Sequence, residues 1–371
     1  MLLLFPSIPL RNLFRRPLRT TLTLLGIVFA VGSMVALIGI SGGIEKAWTK
    51  GLSQRGIHVI GISKNSVEII NSMVDESVVA AIKKVPGVYD AAGELIDIIQ
   101  IKQSLVGVSG MAPGSFLWKS LNLIEGRLPE ADDQIVAGER LCRLAQYKVG
   151  DKVSLYERQF VICGISQQAL VLNEANIALP LPALQQATNK AGKLTMVNIR
   201  LDADTAGDKS RVMGSLRERA PDLAFYETTS ITDASQVIKM LRRITVSTTL
   251  IAITISIFFF INTLFMSVSE RRKEFGILAA IGWSKARILK VIIMEGVFMA
   301  VLGSMGGLMM GIYSIRLISR IQYFQGFIDT ETDPVFFAQI IICSIAIGAL
   351  ASLLPAWRSI RADVIESLKY E

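Results

Sequence analysis

The stretch Ile244–Ser269, ITVSTTLIAITISIFFFINTLFMSVS, runs for 26 residues without an Asp, Glu, Lys or Arg. A helix rises 1.5 Å per residue, so about 20 residues cross a hydrocarbon core of about 30 Å. Three further stretches share the property: Thr20–Ile44 (25 residues), Gly296–Ile315 (20) and Pro334–Trp357 (24). One such run could be a buried core helix, but four in a chain of 371 residues read as membrane spans. The first follows Arg15, Arg16 and Arg19 as a signal peptide would, yet signal cores hold only about 7–15 apolar residues. It is read as a retained span. The four runs take up 95 residues, and the other 276 carry all 70 charges, about 25 %. That is the density of an ordinary soluble protein. A soluble part is joined to a membrane part, which excludes a wholly soluble enzyme and a disordered chain.

Basic residues collect on the cytoplasmic side of membrane proteins. Arg11, Arg15, Arg16 and Arg19 precede the first run; Arg271, Arg272, Lys273, Lys285, Arg287 and Lys290 lie between the second and third; Arg358, Arg361 and Lys369 follow the fourth. The loop between the third and fourth has only Arg316 and Arg320, against Asp329, Glu331 and Asp333. Both termini are therefore expected in the cytoplasm. The expected order is an amphipathic cytoplasmic segment (1–19), a span (20–44), an extracytoplasmic domain with stalk ends (45–243) and a second span (244–269). A cytoplasmic segment (270–290), a third span (291–315), a short outer loop (316–333), a fourth span (334–357) and a cytoplasmic tail (358–371) complete it. The net charge of +8 is explained by this topology and not by nucleic-acid binding, for which no motif is present.

Within the outer domain, Asp75–Val85 and Ser210–Arg219 read as helices, the first ended by Pro86-Gly87. Strand patterns occupy Ile98–Lys102, Leu105–Ser109, Gln134–Val136, Lys152–Leu155, Gln159–Ile165, Ile177–Leu179 and Met196–Leu201, with turns such as Gly150-Asp151 between them. An α+β domain of two lobes is expected. At its ends, Ile44, Trp48 and Leu52 recur every four residues, as do Val237 and Leu241 with Ile238 beside them. These patterns suit stalk helices continuing outward from the first two spans and packing together.

Catalytic groups are scarce. His58, the one histidine, opens a strand-like run and reads as structural; no multi-histidine metal site is possible. Gly192-Lys193 is followed by Leu194, and Ala187 stands where a phosphate loop needs its first glycine. Cys142 and Cys163 could pair in an oxidising compartment, but free buried thiols are preferred; Cys343 lies in the fourth run. Gly303, Gly307 and Gly311 are spaced by four, as are Ser344, Gly348 and Ser352. Such stripes let helix backbones approach closely in lipid, either within one bundle or between subunits. Glu295 is the one acid in the third span, near enough its end to reach interfacial water.

The segment Ser269–Lys290, SERRKEFGILAAIGWSKARILK, has a charged start, then Phe275, Leu278 and Ala279 on one helical face and Gly282 as a stop. Alone it could be a solvated basic loop. Ser267, Glu270, Arg271, Glu274, Gly276, Ile277, Ala280, Ile281 and Gly282, with Glu295 in the next helix, resemble the signature of the MacB/FtsX/LolC-LolE class of ABC-transporter permeases. So do Pro355-Ala356-Trp357-Arg358 and Ala362–Leu368, where Val364 replaces the family's usual proline. Asn12, Leu13, Arg16, Arg19, Thr20, Leu22, Leu25 and Gly26 are similar to its basic start. Glu125-Gly126-Arg127, Val136-x-Gly138, Val149-Gly150-Asp151 and Phe160–Ile165 are similar to its periplasmic core domain.

The resemblance implies four transmembrane helices with a large extracytoplasmic α+β domain between the first and second. It implies a non-catalytic permease subunit in a bacterial inner membrane, paired with a second copy or a paralogue and with a cytoplasmic ABC ATPase dimer. ATP and Mg would bind that partner, leaving no cofactor in this chain. Such permeases work by mechanotransmission, exporting or extracting an amphiphilic drug, peptide, lipid or lipoprotein at the outer face, in some cases with a periplasmic adaptor and an outer-membrane channel. The alternative is an FtsX-like signalling subunit that controls a cell-wall hydrolase or senses a peptide. The ATPase-coupling residues are expected to be Glu270, Arg271, Arg272 and Glu274 through charge, Phe275 and Leu278 as apolar anchors, and Gly276 and Gly282 through close approach and a sharp end. Trp48, Leu52, Val237 and Leu241 are the expected stalk contacts. The basic-residue count predicts that a cysteine placed at Ser284 is labelled by an impermeant maleimide only from the cytoplasmic side, and one at Ala131 only from outside. Outside labelling at Ser284 would overturn the four-span topology.

Overall fold

The computed structural model describes residues 17–66, 68–101, 104–167, 176–202, 209–321 and 334–361. The family-like positions Asn12, Leu13 and Arg16 at the start and Ala362 to Leu368 at the end, with Lys102 of an expected strand and most of the short outer loop and of the cytoplasmic tail, lie outside the described residues. The described chain divides into two compact units, one of residues 17–40, 243–317 and 334–361, the other of residues 41–242 and 318–321. The first uncharged run lies inside one unbroken helix, α1 (Pro17–Gln54). Its end is closed by Gly56 at φ +68°, with the Ile57 N–H bonded to the Leu52 carbonyl at 3.2 Å and the Gly56 N–H to Ser53 at 2.9 Å. This is the left-handed helix stop that glycine adopts without a Cβ penalty.

After α1 come β1 (Val59–Ser63), β2 (Val74–Asp75), α2 (Val78–Ile82), β3 (Val88–Ile101), β4 (Ser104–Met111), α3 (Phe116–Lys119), β5 (Leu123–Gly126), β6 (Gln134–Gly138) and α4 (Glu139–Ala145). Then follow β7 (Lys152–Leu155), β8 (Arg158–Ser166), β9 (Asn176–Pro180), α5 (Leu181–Ala187), β10 (Lys193–Leu194), β11 (Met196–Leu201), α6 (Lys209–Arg219) and β12 (Leu223–Glu227). Ten strands form one mixed sheet, ordered β12-β1-β11-β3-β4-β9-β6-β8-β5 with β7 on β8, while β2 and β10 make a separate ribbon. The parallel pair β4–β9 joins the halves expected as two lobes into this single sheet.

Side chains alternate across a strand with period two, and here both faces are buried. Val59, Leu95, Ile135 and Ile177 enter one core, with Ile82 of α2, Leu141 of α4, Leu184 of α5 and Leu216 of α6. Their neighbours Ile60, Ile96, Val136 and Ala178 enter the other, with Leu117 of α3 and Leu52 of α1. That second face is also covered by Ile231, in a tight helical turn at Thr228–Ala234, and by Ile238, at the start of α7 (Gln236–Glu270). The strand expected at Ile98 begins ten residues earlier, at Val88, because β11 pairs along its small and polar first half, Val88–Glu94. The helix expected over Asp75–Val85 shortens to α2, since Val74–Asp75 pairs with Lys193–Leu194.

The remaining elements are α8 (Arg272–Ala280), α9 (Lys285–Arg320) and α10 (Pro334–Arg361). α1, α7, α9 and α10 are each long and apolar enough to cross a membrane, so the chain is a multi-pass membrane protein. Half of the apolar window of α9 is buried, against 28 % for α1, 11 % for α7 and 22 % for α10, which makes α9 the central helix. Its glycine stripe lies on α1: a Cβ added at Gly307 or Gly311 would come within 2.6 Å of Val31 or Val35, and one at Gly303 would collide with Ile27. Gly348 and Ser352 of α10 fit against Ala300 and Gly296 of α9. Gly303, Gly307, Gly311, Gly348 and Ser352 thus make contacts within the bundle, and Ser344 lines a cavity in it. Thr23 and Thr263 add a buried hydroxyl–hydroxyl bond of 2.7 Å between α1 and α7.

Burial sorts the stalk residues sharply. Leu52 is fully buried, whereas Val237 is 54 % and Leu241 37 % exposed. Leu52→Ala is expected to destabilise the outer unit by about 2–5 kcal/mol, and Val237→Ala to change it by about 0.5 kcal/mol or less. Thermal or urea unfolding of the two variants checks the contrast, and equal losses would refute this packing.

Candidate functional site

α8 and its flanks are where the sequence placed the coupling residues. Ser267, Arg271 and Glu274 stand at positions i, i+4 and i+7, one face of a helical path. Buried Glu295 of α9 meets that face: Ser267 Oγ donates to Oε1 at 3.0 Å, and Arg271 Nη1 donates to Oε2 at 3.2 Å. Arg271 Nε also donates to Glu274 at 2.9 Å, and its guanidinium lies 4.9 Å from the centre of the Phe275 ring. Glu295 is thus an intramolecular latch that holds the start of α8 against α9. The resemblance supplied the four members, but their joint role shows only when the helices are packed.

The apolar residues of α8 divide between two faces. Phe275 is buried with Val268, Ile288, Ile292 and Ala356, and Leu278 and Ala279 pack beside them. Phe275 and Leu278 therefore pack within their own chain, Phe275 fully and Leu278 in part. Periodicity marks an apolar face without saying what covers it. The outward residues are Ile277, 46 % exposed, and Ile281, 72 % exposed, one turn apart. Exposed Glu270, Lys273 and Glu274 and half-buried Arg272 lie on the same segment, Gly276 is buried, and exposed Gly282 ends it at φ +94°.

At the other end of α1 the outer unit holds a buried polar cluster that sequence reading missed. Arg55 forms a two-pronged ion pair with Glu94 of β3, at 3.0 and 3.2 Å, and neither side chain is more than 6 % exposed. Ser109 of β4 donates to the same carboxylate at 2.5 Å and Asn198 of β11 at 2.6 Å. Arg200 of β11 donates to the Arg55 carbonyl at 2.6 Å and lies 4.1 Å over the Phe116 ring. The strand Val88–Ile101 holds three acids, Asp90, Glu94 and Asp97, and nothing in the sequence marks Glu94 among them as the buried one.

Of the expected stalk contacts, Leu52 is packed with Ile238 and partly buried Ile44, but Val237 and Leu241 face outward. On α7, Ile238 is the inward residue. The side chain of Trp48 lies outside the described residues. The two helices are bridged by Arg242, which donates to Glu45 at 2.9 Å and lies 3.5 Å from Asp233.

His58 accepts the Leu201 N–H on Nδ1 at 3.0 Å, and burial, with Lys209 and Arg200 nearby, holds its pKa below the usual histidine value. It stays neutral as an acceptor, a structural role. Cys142 and Cys163 are free and buried, their thiols pushed up to about 11 by burial. Among the described residues no group of three His, Cys, Asp or Glu side chains could hold a metal ion.

A helical membrane bundle, a sheet domain inserted after the first helix and a latched helix between the second and third define a membrane protein of the permease class. Comparison with known families narrows this. Residues 20–217 match the MacB-like periplasmic core domain, and residues 246–364 match the FtsX-like permease C-terminal domain. The chain belongs to the MacB/FtsX-type ABC transporter permeases. It is 24 % identical over 384 residues to an uncharacterized ABC transporter permease of Methanocaldococcus jannaschii, covering 97 % of this chain and 96 % of that protein. The uncharacterized ABC transporter permease YknZ of Bacillus subtilis is 22 % identical over 399 residues, covering 98 % of each. The macrolide export ATP-binding/permease protein MacB of Agrobacterium fabrum is 22 % identical over 382 residues, 95 % of this chain but only 58 % of that protein.

Removing one partner of a buried ion pair leaves the other charge uncompensated, at a cost of about 3–5 kcal/mol. Glu94→Ala is expected to lose stability on that scale in chemical unfolding of the outer unit, with Arg55 stranded. Wild-type stability in this variant would show that the cluster is not a structural keystone.

Proposed function

We propose that this chain is the membrane subunit of an ABC transporter that receives ATP-driven movement on α8 and delivers it to the outer unit. The observation carrying this reading is the two-faced packing of α8. Its inner face is fastened by Phe275 and by the Ser267–Glu295–Arg271 latch, while Ile277 and Ile281 are presented in a basic segment. Apolar side chains left exposed on a rigidly held helix suit a docking element, because partner contact removes them from water without an ordering cost. The partner is an ATPase, which we place on a separate chain; Lys273, Glu274 and Arg272 surround the apolar pair with charge for its rim.

The transported molecule is an amphiphile taken up at the outer face, and it need not pass between the helices. In support, the cavity of about 200 Å³ within the bundle is lined by apolar side chains such as Ile27, Met34, Phe260, Phe336 and Ile340, with Gln339, Ser256 and Ser344 among few polar ones. Such a lining offers no hydrated path. We place the protein in an inner membrane with α8 in the cytoplasm, working as a pair of permease subunits with an ATPase dimer that holds ATP and Mg.

Ile277→Asp and Ile281→Asp test the docking face. Both side chains are exposed, so α8 should stay folded, while partner association weakens by on the order of 2 kcal/mol. Binding of the purified ATPase to the chain in nanodiscs measures this. Wild-type affinity and wild-type ATPase stimulation in both variants would remove α8 as the docking element.

A further inference from the structure

α7 is a helix of 35 residues, and its first turn is closed by a side chain from a distant part of the chain. Glu68, in the connection between β1 and β2, accepts the Val237 N–H on Oε1 at 2.7 Å and the Ser235 hydroxyl on Oε2 at 2.8 Å. Ser235 Oγ in turn accepts the Ile238 N–H at 3.2 Å. The first N–H groups of a helix have no partner within it, and a carboxylate placed there is favoured by the helix dipole and by charge-assisted bonding. Ser235 alone would make an ordinary cap. The added carboxylate does something a local cap cannot, because it belongs to the connection leaving β1. β1 pairs with both β11 and β12 inside the sheet.

The connection is itself fastened. Ser72 Oγ accepts the Ser63 N–H at 3.0 Å, and Ile69 is 2 % exposed in the core that also takes Ile238. Glu68 is therefore held at its base and grips α7 at its tip. Just past the end of α1 the matching grip is the Arg55–Glu94 pair, and the Arg242–Glu45 bond bridges the two helices further along from these points.

We propose that Glu68 is a positioning residue for coupling: it fixes the first turn of α7 to the sheet, so that a tilt or pull of α7 moves the outer unit instead of being absorbed by fraying of that turn. This rests on the permease reading above. Helix termini fray because their terminal bonds are the weakest, and a helix that carries force needs its end closed on something rigid.

The test uses the full chain with its ATPase, purified together from native membranes and placed in nanodiscs. Dyes are attached at Ala131→Cys and Ser284→Cys, with Cys142, Cys163 and Cys343 replaced by alanine. Energy transfer between the dyes and the rate of ATP hydrolysis are both recorded. The wild-type background is expected to change its energy transfer on adding ATP. Measured at a temperature where every variant is fully folded, Glu68→Ala should lose that change while hydrolysing ATP at the wild-type rate, even if its unfolding temperature falls, and Glu68→Gln, which keeps an acceptor oxygen, should retain part of it. A purely structural cap would move the unfolding temperature and leave the ATP-driven change intact, which overturns the proposal. If Glu68→Ala also loses ATP hydrolysis, Glu68→Gln decides by the same comparison: a reduced response at the wild-type hydrolysis rate supports the proposal, and an unchanged response overturns it. If the wild-type background gives no ATP response, the permease reading fails and the role of Glu68 falls with it. A wild-type response shared equally by Glu68→Ala overturns only the role of Glu68.

Discussion

A carboxylate with no exposed surface has to find partners for both oxygens or give up its charge. Glu94 finds them by drawing together the end of α1 and the strands β3, β4 and β11 through Arg55, Ser109 and Asn198. Three neighbouring strands are thereby held in one register, and the first helix is fixed where it leaves the sheet. The Gly56 stop brings Arg55 to that place, because a helix continuing past Gln54 would carry the guanidinium away from β3. Much of the outer unit's second core, including Leu52 and Ile57, is assembled around this junction.

The membrane unit obeys a different constraint. Lipid is as apolar as leucine, so helix association there draws on close packing and on buried hydrogen bonds. α9 meets this with glycines that admit Val31 and Val35 of α1, and α10 meets it with Gly348 and Ser352. Polar contacts are spent sparingly, at Thr23–Thr263 within the bundle and at the Glu295 latch beside α8. A buried glutamate can persist there because Arg271 and Ser267 satisfy it, and the same bonds set the direction in which α8 points. The orientation of one short helix thus depends on an ion pair between residues 24 positions apart.

The number of spans, the insertion of a large α+β domain after the first and the family signature around Ser267–Gly282 were legible in the linear chain. Each rests on local composition: uncharged runs of at least 20 residues, basic flanks and short motifs in order. The helices at both ends of the outer domain were legible too, from residues recurring every four positions. Less visible were β12, β5 and the first half of β3, whose residues carry little alternation and are held as strands by their neighbours.

What tertiary structure decided was which face of each periodic element is covered, and by what. Phe275 and Ile277 look alike in a helical pattern, but only Phe275 meets Val268, Ile288 and Ala356. Ile238, and not Val237 or Leu241, is buried beside Leu52, for the same reason. Charged partners far apart in sequence, Arg55 with Glu94 and Glu68 with the start of α7, leave no spacing signature because loop and strand lengths set the distance between them. The sequence alone therefore determined that the chain spans a membrane and carries a folded outer domain, since hydrophobicity and charge act residue by residue. The positions at which the two stalk helices grip the sheet were decided by the tertiary structure, since a buried charge is paid for only by partners that the completed fold brings within hydrogen-bonding distance.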